Sequence, residues 1–179
     1  MGPPAVFAPW RQNYVENVDA KPASGPSTGS FLLDYWLAPS EDDRNHIIVR
    51  DGAGLILLNR YPYSGGHLLV ALGDARPRLL DYDPAQRADL WRLVDLAAAV
   101  LERGLAPQGI NIGVNQGRAA GAGVPQHLHV HLVPRWGGDV NFMSVVGNVR
   151  VIPCSLDVMA DRMRKAWEQV RRRWPAGAP

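Results

Sequence analysis

Three of the five histidines in this chain fall within five residues, His127-Leu128-His129-Val130-His131. Along an extended strand, successive side chains point to opposite faces. His127, His129 and His131 therefore share one face, and Leu128, Val130 and Leu132 share the other. The apolar set belongs against a core. Imidazoles carry polar nitrogens that need partners, so three in a row are a poor filling for a dry interior. A half-buried strand with its histidine face lining a site satisfies both sets.

Two chemistries want such a row. His-x-His on a strand can give two ligands to zinc. No Cys pair, His-Glu motif or nearby fourth ligand accompanies this one. The other chemistry is nucleophilic, with one imidazole attacking while its neighbours bind and donate protons. With a reference pKa near 6.5, roughly three-quarters of such a side chain is neutral at pH 7. The upstream run Asn115-Gln116-Gly117-Arg118-Ala119-Ala120-Gly121-Ala122-Gly123 favours this second reading. Its glycines let backbone N–H groups approach and cradle an anion. No Gly-Lys-Ser/Thr follows, so it is not a Walker A loop. Arg118 could reach a phosphate chain or face water.

The stretch AAGAGVPQHLHVHLVPR resembles the signature of the histidine-triad (HIT) superfamily, His-x-His-x-His followed by two apolar residues. A second block agrees: Leu58-Asn59-Arg60-Tyr61-Pro62 through Gly66-His67-Leu68-Leu69-Val70 resembles the family's earlier strand pair. The flanks APWRQNY and PRWGGDVNFMSVVGNVRVIP resemble a bacterial and archaeal branch described as diadenosine-tetraphosphate phosphorylase- or hydrolase-like.

The resemblance implies a reaction and a set of roles. His129 would attack the α-phosphorus of a dinucleoside polyphosphate and form a nucleotidyl-imidazole intermediate. His127 and His131 would bond the phosphates and help protonate the leaving group. His67 would close the cluster, Asn59 would bind ribose hydroxyls and Asn115 would contact the phosphate chain. Backbone N–H groups from Gly121 to Gly123 would stabilise developing phosphoryl charge. Water or inorganic phosphate would then release the nucleotide. The implied fold is α+β, a mainly antiparallel sheet of about five strands with two helices, in a homodimer. Alternatives are cleavage of a nucleoside phosphoramidate or adenylyl sulfate, or a nucleotide-binding protein with little turnover.

There are departures from family patterns. Many relatives in this branch carry a Cys-x-x-Cys zinc pair near the first strand, where this chain reads Phe31-Leu32-Leu33-Asp34-Tyr35-Trp36. No structural zinc is expected, and no cofactor held by the protein itself; a divalent metal accompanying the substrate stays open. Another subfamily has Ser or Thr four residues before its first triad histidine, where this chain has Gly123. Relatives of the galactose-1-phosphate uridylyltransferase type have Gln at the third triad position, where this chain has His131.

Residues 1–30 read as an irregular arm containing Trp10 and Tyr14, with a Pro/Gly/Ser loop from Lys21 to Ser30. Residues 31–153 read as the HIT domain and 154–179 as a C-terminal helix packed on it. FLLDYWLAP is a candidate strand. His46–Val49 and Leu55–Asn59 flank a hairpin signal, Asp51-Gly52-Ala53-Gly54. Gly66–Leu72, Gly109–Val114, His127–Val133 and Val149–Ile152 complete the strand set. Asp83-Pro84-Ala85-Gln86 carries an N-cap, a first-turn proline and a capping-box glutamine. Leu90, Leu93, Val94, Ala97 and Leu101 then recur at helical spacing, and Gly104 is a candidate stop, giving a helix over 84–103. A second helix over 156–173 puts Leu156, Met159, Met163, Ala166 and Val170 on one face. Trp136, Phe142 and Met143 are candidates for packing, and Trp136 also for shaping the cleft or a subunit interface.

Nineteen basic and 17 acidic residues leave a formal charge of +2, too balanced for a nucleic-acid binder. No run of roughly 18 apolar residues offers a membrane span. The start MGPPAVFAPW lacks a signal-peptide core, and position 6 is Val6 rather than the Ser or Thr of a myristoylation site. The single cysteine, Cys154, cannot form an internal disulfide. A cytoplasmic protein is expected.

Overall fold

The computed structural model describes residues 27–139, 152 and 154–174. The expected arm with Trp10 and Tyr14, the expected strand at 149–152 apart from Ile152, and Phe142 and Met143 lie outside the described residues.

The elements are α1 (Phe31–Leu37), β1 (Ile47–Arg50), β2 (Gly54–Leu58), β3 (Leu68–Leu72), α2 (Pro84–Leu105), β4 (Gly109–Val114), β5 (Val130–Arg135) and α3 (Leu156–Val170). The strands form one sheet in the order β1-β2-β3-β5-β4. Every pair is antiparallel, the expected α+β arrangement.

Period-2 alternation gives the sheet two apolar faces. Ile56, Leu58, Leu68, Val70, Leu72, Val130 and Leu132 meet α2 and α3 in the larger core. Ile47, Leu55, Leu57, Leu69 and Ala71 meet Leu32, Tyr35 and Trp36 of α1 in a smaller one. A register shift between Ile47 and Val49 lets both Ile48 and Val49 join the larger core. His131 is paired with Leu69, so the histidine face of β5 lies on the side that α1 covers.

Three local expectations are corrected. FLLDYWL is helix α1 rather than a strand. Ser30 starts it by accepting from the Leu33 N–H, and Arg50 donates to the carbonyls of Tyr35 and Trp36 at its end. Both contacts satisfy groups that a short helix leaves orphaned. Secondly, α2 has the expected capping box of Asp83 and Gln86 but runs through Gly104 to Leu105, ending on left-handed Ala106. Gly104 is there for packing: a Cβ on it would lie 2.6 Å from Met163 Cε and 3.3 Å from Ala166 Cβ of α3. Finally, the ladder of β5 starts at Val130, not His127. The backbone before it bonds the segment after β3 instead, with Leu128 N–H donating to Arg76 O at 2.7 Å.

Candidate active site

Leu128, Val130 and Leu132 are all buried in the larger core, so the alternation read from the sequence persists through the triad. His127 is 0% exposed, His129 5%, and His131 half-buried. His67 enters from the start of β3, behind Gly66, whose φ of +88° suits glycine. Ring centroids lie 5.2 Å apart for His67 and His131 and 4.9 Å apart for His129 and His131.

The hydrogen bonds assign the protons. Carbonyl oxygens only accept and backbone N–H groups only donate. His129 Nδ1 lies 2.9 Å from His127 O, so Nδ1 carries the proton. Nε2 of His129 then keeps its lone pair, and among the described residues nothing is recorded bonding it. His67 Nδ1 accepts from Tyr63 N–H and from the Asn59 amide, each at 3.2 Å. Its Nε2 therefore carries a proton and donates to His131 Nδ1 at 3.0 Å. That leaves the proton of neutral His131 on Nε2. The row offers one bare nitrogen, on His129, beside one N–H donor, on His131.

Burial keeps these rings neutral. It is the largest cause lowering the His129 pKa, with the bond to His127 O opposing it. His131 is pushed down to about 4, by burial first and then by neighbouring His129. Burial also lowers His127, against the bond to Leu72 O.

Two expected contacts are redirected. His127 Nε2 donates to Leu72 O at 2.8 Å, and Nδ1 accepts from the Ser30 hydroxyl at 2.9 Å. The enclosed ring has no nitrogen left for a phosphate. Within the glycine loop, Gly121 N–H donates to Arg118 O and Ala122 N–H to Gly117 O. Closing that turn consumes donors expected to face phosphate. Of the three N–H groups from Gly121 to Gly123, only that of Gly123 has no recorded acceptor among the described residues.

Asn59 spans three groups: its amide donates to His67, its Oδ1 accepts from Tyr61 N–H at 3.0 Å, and its N–H donates to His67 O. Asn115 follows Val114, the partner of Val130, and so leaves the sheet beside the triad. Gln116 accepts from Leu79 N–H and ties the glycine loop to the approach to α2. Arg118 is exposed, and Trp136 N–H donates to Asp139 in the turn after β5.

Two contributors escaped the sequence reading. Ser30 is one; its signal was a serine preceding a stretch with no β-branched residue. Tyr63 is the other, its ring 4.8 Å from His67 and 6.1 Å from His131 between centroids. It lies between Asn59 and Gly66-His67, where an aromatic beside imidazoles was a usable cue.

Where the family resemblance places a cysteine pair, α1 contributes Leu32, Tyr35 and Trp36 to the smaller core. Among the described residues, no three His, Cys, Asp or Glu side chains are grouped to hold a metal.

A family model described as the HIT domain matches residues 40–138. The AP-4-A phosphorylase of Mycobacterium tuberculosis is 34% identical over 148 residues, 83% of this chain and 76% of that protein. The asymmetrical bis(5'-nucleosyl)-tetraphosphatase of Schizosaccharomyces pombe is 35% identical over 102 residues, 57% of this chain and 56% of that one. Among solved structures, a zinc-bound histidine triad family protein from Mycobacterium smegmatis superposes with a TM-score of 0.64 at 28% identity, covering 79% of this chain and 96% of that one.

Proposed function

Since this chain belongs to the HIT family, we propose that it is an enzyme cleaving a phosphoanhydride bond of a dinucleoside polyphosphate, with His129 as the nucleophile. The observation carrying this reading is the 2.9 Å contact from His129 Nδ1 to His127 O, which leaves Nε2 as the attacking lone pair.

Nε2 of neutral His129 bonds to the α-phosphorus as the bond from phosphorus to the bridging oxygen breaks. The departing nucleotide takes the electron pair of that bond. The ring becomes cationic, and the His127 carbonyl, already accepting from Nδ1–H, stabilises that charge. Nε2–H of His131 donates to the departing or non-bridging oxygen. A positioned donor of this kind contributes on the order of 10²–10⁴-fold. An oxygen of phosphate or water then attacks phosphorus, the pair in the N–P bond returns to His129, and the proton of the attacking oxygen passes to solvent. Asn59 holds a ribose hydroxyl with the donor capacity left on its amide. Asn115 and Gly123 N–H contact the phosphate chain.

Phosphate is the acceptor we favour, because relatives matched over 83% of this chain are named phosphorylases. The test is incubation with diadenosine tetraphosphate, with and without inorganic phosphate, followed by separation of the nucleotides. ATP and ADP appearing only with phosphate supports phosphorolysis. ATP and AMP without it reassigns the acceptor to water, and no cleavage in either condition removes the substrate.

Assembly as a homodimer belongs to the same reading. Among the described residues β4 is an edge strand, mostly exposed, with Ile112 at 46%, and a second copy's β4 would extend the sheet there. No described helix is long and apolar enough to cross a membrane. A nucleotide substrate supports a cytoplasmic setting.

A further inference from the structure

His127 lies within hydrogen-bonding distance of a residue 97 positions away. Ser30 is a polar side chain only 1% exposed, and its Oγ stands 2.9 Å from His127 Nδ1. The direction of that bond follows from the other end of the ring. Nε2 faces Leu72 O at 2.8 Å and must carry the proton. Nδ1 of the neutral ring is then bare, and the serine must donate. The same Oγ accepts from Leu33 N–H in the first turn of α1. Helix cap, serine, imidazole and the Leu72 carbonyl thus form one directed chain. A second contact clamps the same segment, since the Gln126 amide donates to Gly29 O.

His127 matters to the reaction through its carbonyl, which holds the proton of His129 Nδ1. Anything that turns residue 127 turns that carbonyl, and with it the lone pair aimed at phosphorus. We propose that Ser30 is a positioning residue for the cleavage reaction: its hydroxyl locks His127 in the Nε2–H form and thereby fixes the His127 carbonyl on His129. This role rests on the proposed function above. Its physical basis is that misplacement by about 1 Å of a reacting group can cost on the order of 10²-fold in rate.

A plain helix-cap role makes different predictions. Glycine at an N-cap costs only a few tenths of a kcal/mol relative to serine, whereas alanine costs about 1 kcal/mol. Neither supplies the hydroxyl. Ser30→Gly, Ser30→Ala and Ser30→Thr should be compared in the full chain with diadenosine tetraphosphate and phosphate. Each should also be examined by ¹⁵N NMR of the histidine rings without substrate. Both Gly and Ala are expected to lower kcat about tenfold or more with KM little changed, as for lost partners that orient a functional histidine. Both should also shift the His127 Nδ1 resonance, while Thr, which keeps the hydroxyl, restores both readouts. Wild-type kcat in Ser30→Gly, or His127 resonances that do not move in either truncation, overturns the proposal. A variant that loses stability yet keeps kcat and the His127 pattern assigns Ser30 to the cap alone and also overturns it. The ring spectra need no turnover, so a wrong substrate assignment would not be mistaken for failure of the Ser30 contact.

Discussion

Nε2 of His67 donates to Nδ1 of His131 across 3.0 Å, and this one contact decides where the proton sits on His131. With Nδ1 occupied as an acceptor, the neutral ring presents Nε2–H towards the site. His67→Ala removes the donor and lets His131 exchange tautomers. We expect kcat to fall about tenfold to a hundredfold, with nucleotide binding less affected. A His67→Ala enzyme with wild-type kcat would contradict the assigned proton positions.

His129→Ala removes the nitrogen proposed to attack but leaves Asn59 and Asn115, the proposed nucleotide contacts, in place. Turnover should disappear while nucleotide affinity stays nearly intact, as isothermal titration beside the cleavage assay would show. Most of the activity surviving in His129→Ala would mean that another group attacks phosphorus.

The pH dependence follows from the direction of the shifts. His131 is lowered to about 4 and His129 is also lowered, both chiefly by burial. Each ring is thus neutral at pH 7, and activity should persist below the ordinary histidine pKa, declining as pH approaches 4. Stability has the same sign. Between pH 6.5 and about 4 the unfolded chain binds more protons at His131 than the folded one, and the lowered pKa of His129 acts in the same direction. Stability should therefore fall as pH drops through that window. A kcat profile with an acid limb at or above pH 6.5 would contradict neutral, buried rings.

Gly73 lies directly under Trp36 of α1. A Cβ there would come within 2.3 Å of the indole ring. Gly73→Ala should cost about 1–3 kcal/mol through overpacking, measurable by urea titration. Displacing α1 should also disturb Ser30 at its start, so a loss of kcat is expected with the loss of stability. Unchanged stability would mean that the indole moves aside freely.

Local chemistry was legible in the sequence wherever a signal repeats over short distances. Period-2 alternation marked the two faces of residues 127–132, and period-3.6 spacing with Asp83 and Gln86 marked α2. The turn signal Asp51-Gly52-Ala53-Gly54 marked the hairpin of β1 and β2. These patterns depend only on strand and helix geometry, which neighbours along the chain share.

Tertiary structure decided what each polar atom meets. Whether FLLDYWL winds into a helix depended on Ser30 at one end and Arg50 at the other. Whether His127 faces phosphate depended on Ser30 and Leu72, 97 and 55 positions away. Gly104 looks like a helix stop until α3 crosses it, and the Gly121 N–H looks available until its own turn closes. Side-chain direction is set by the residue's own backbone. Hydrogen-bond partners are set by whatever the fold brings within 3 Å, and no spacing rule along the chain encodes that.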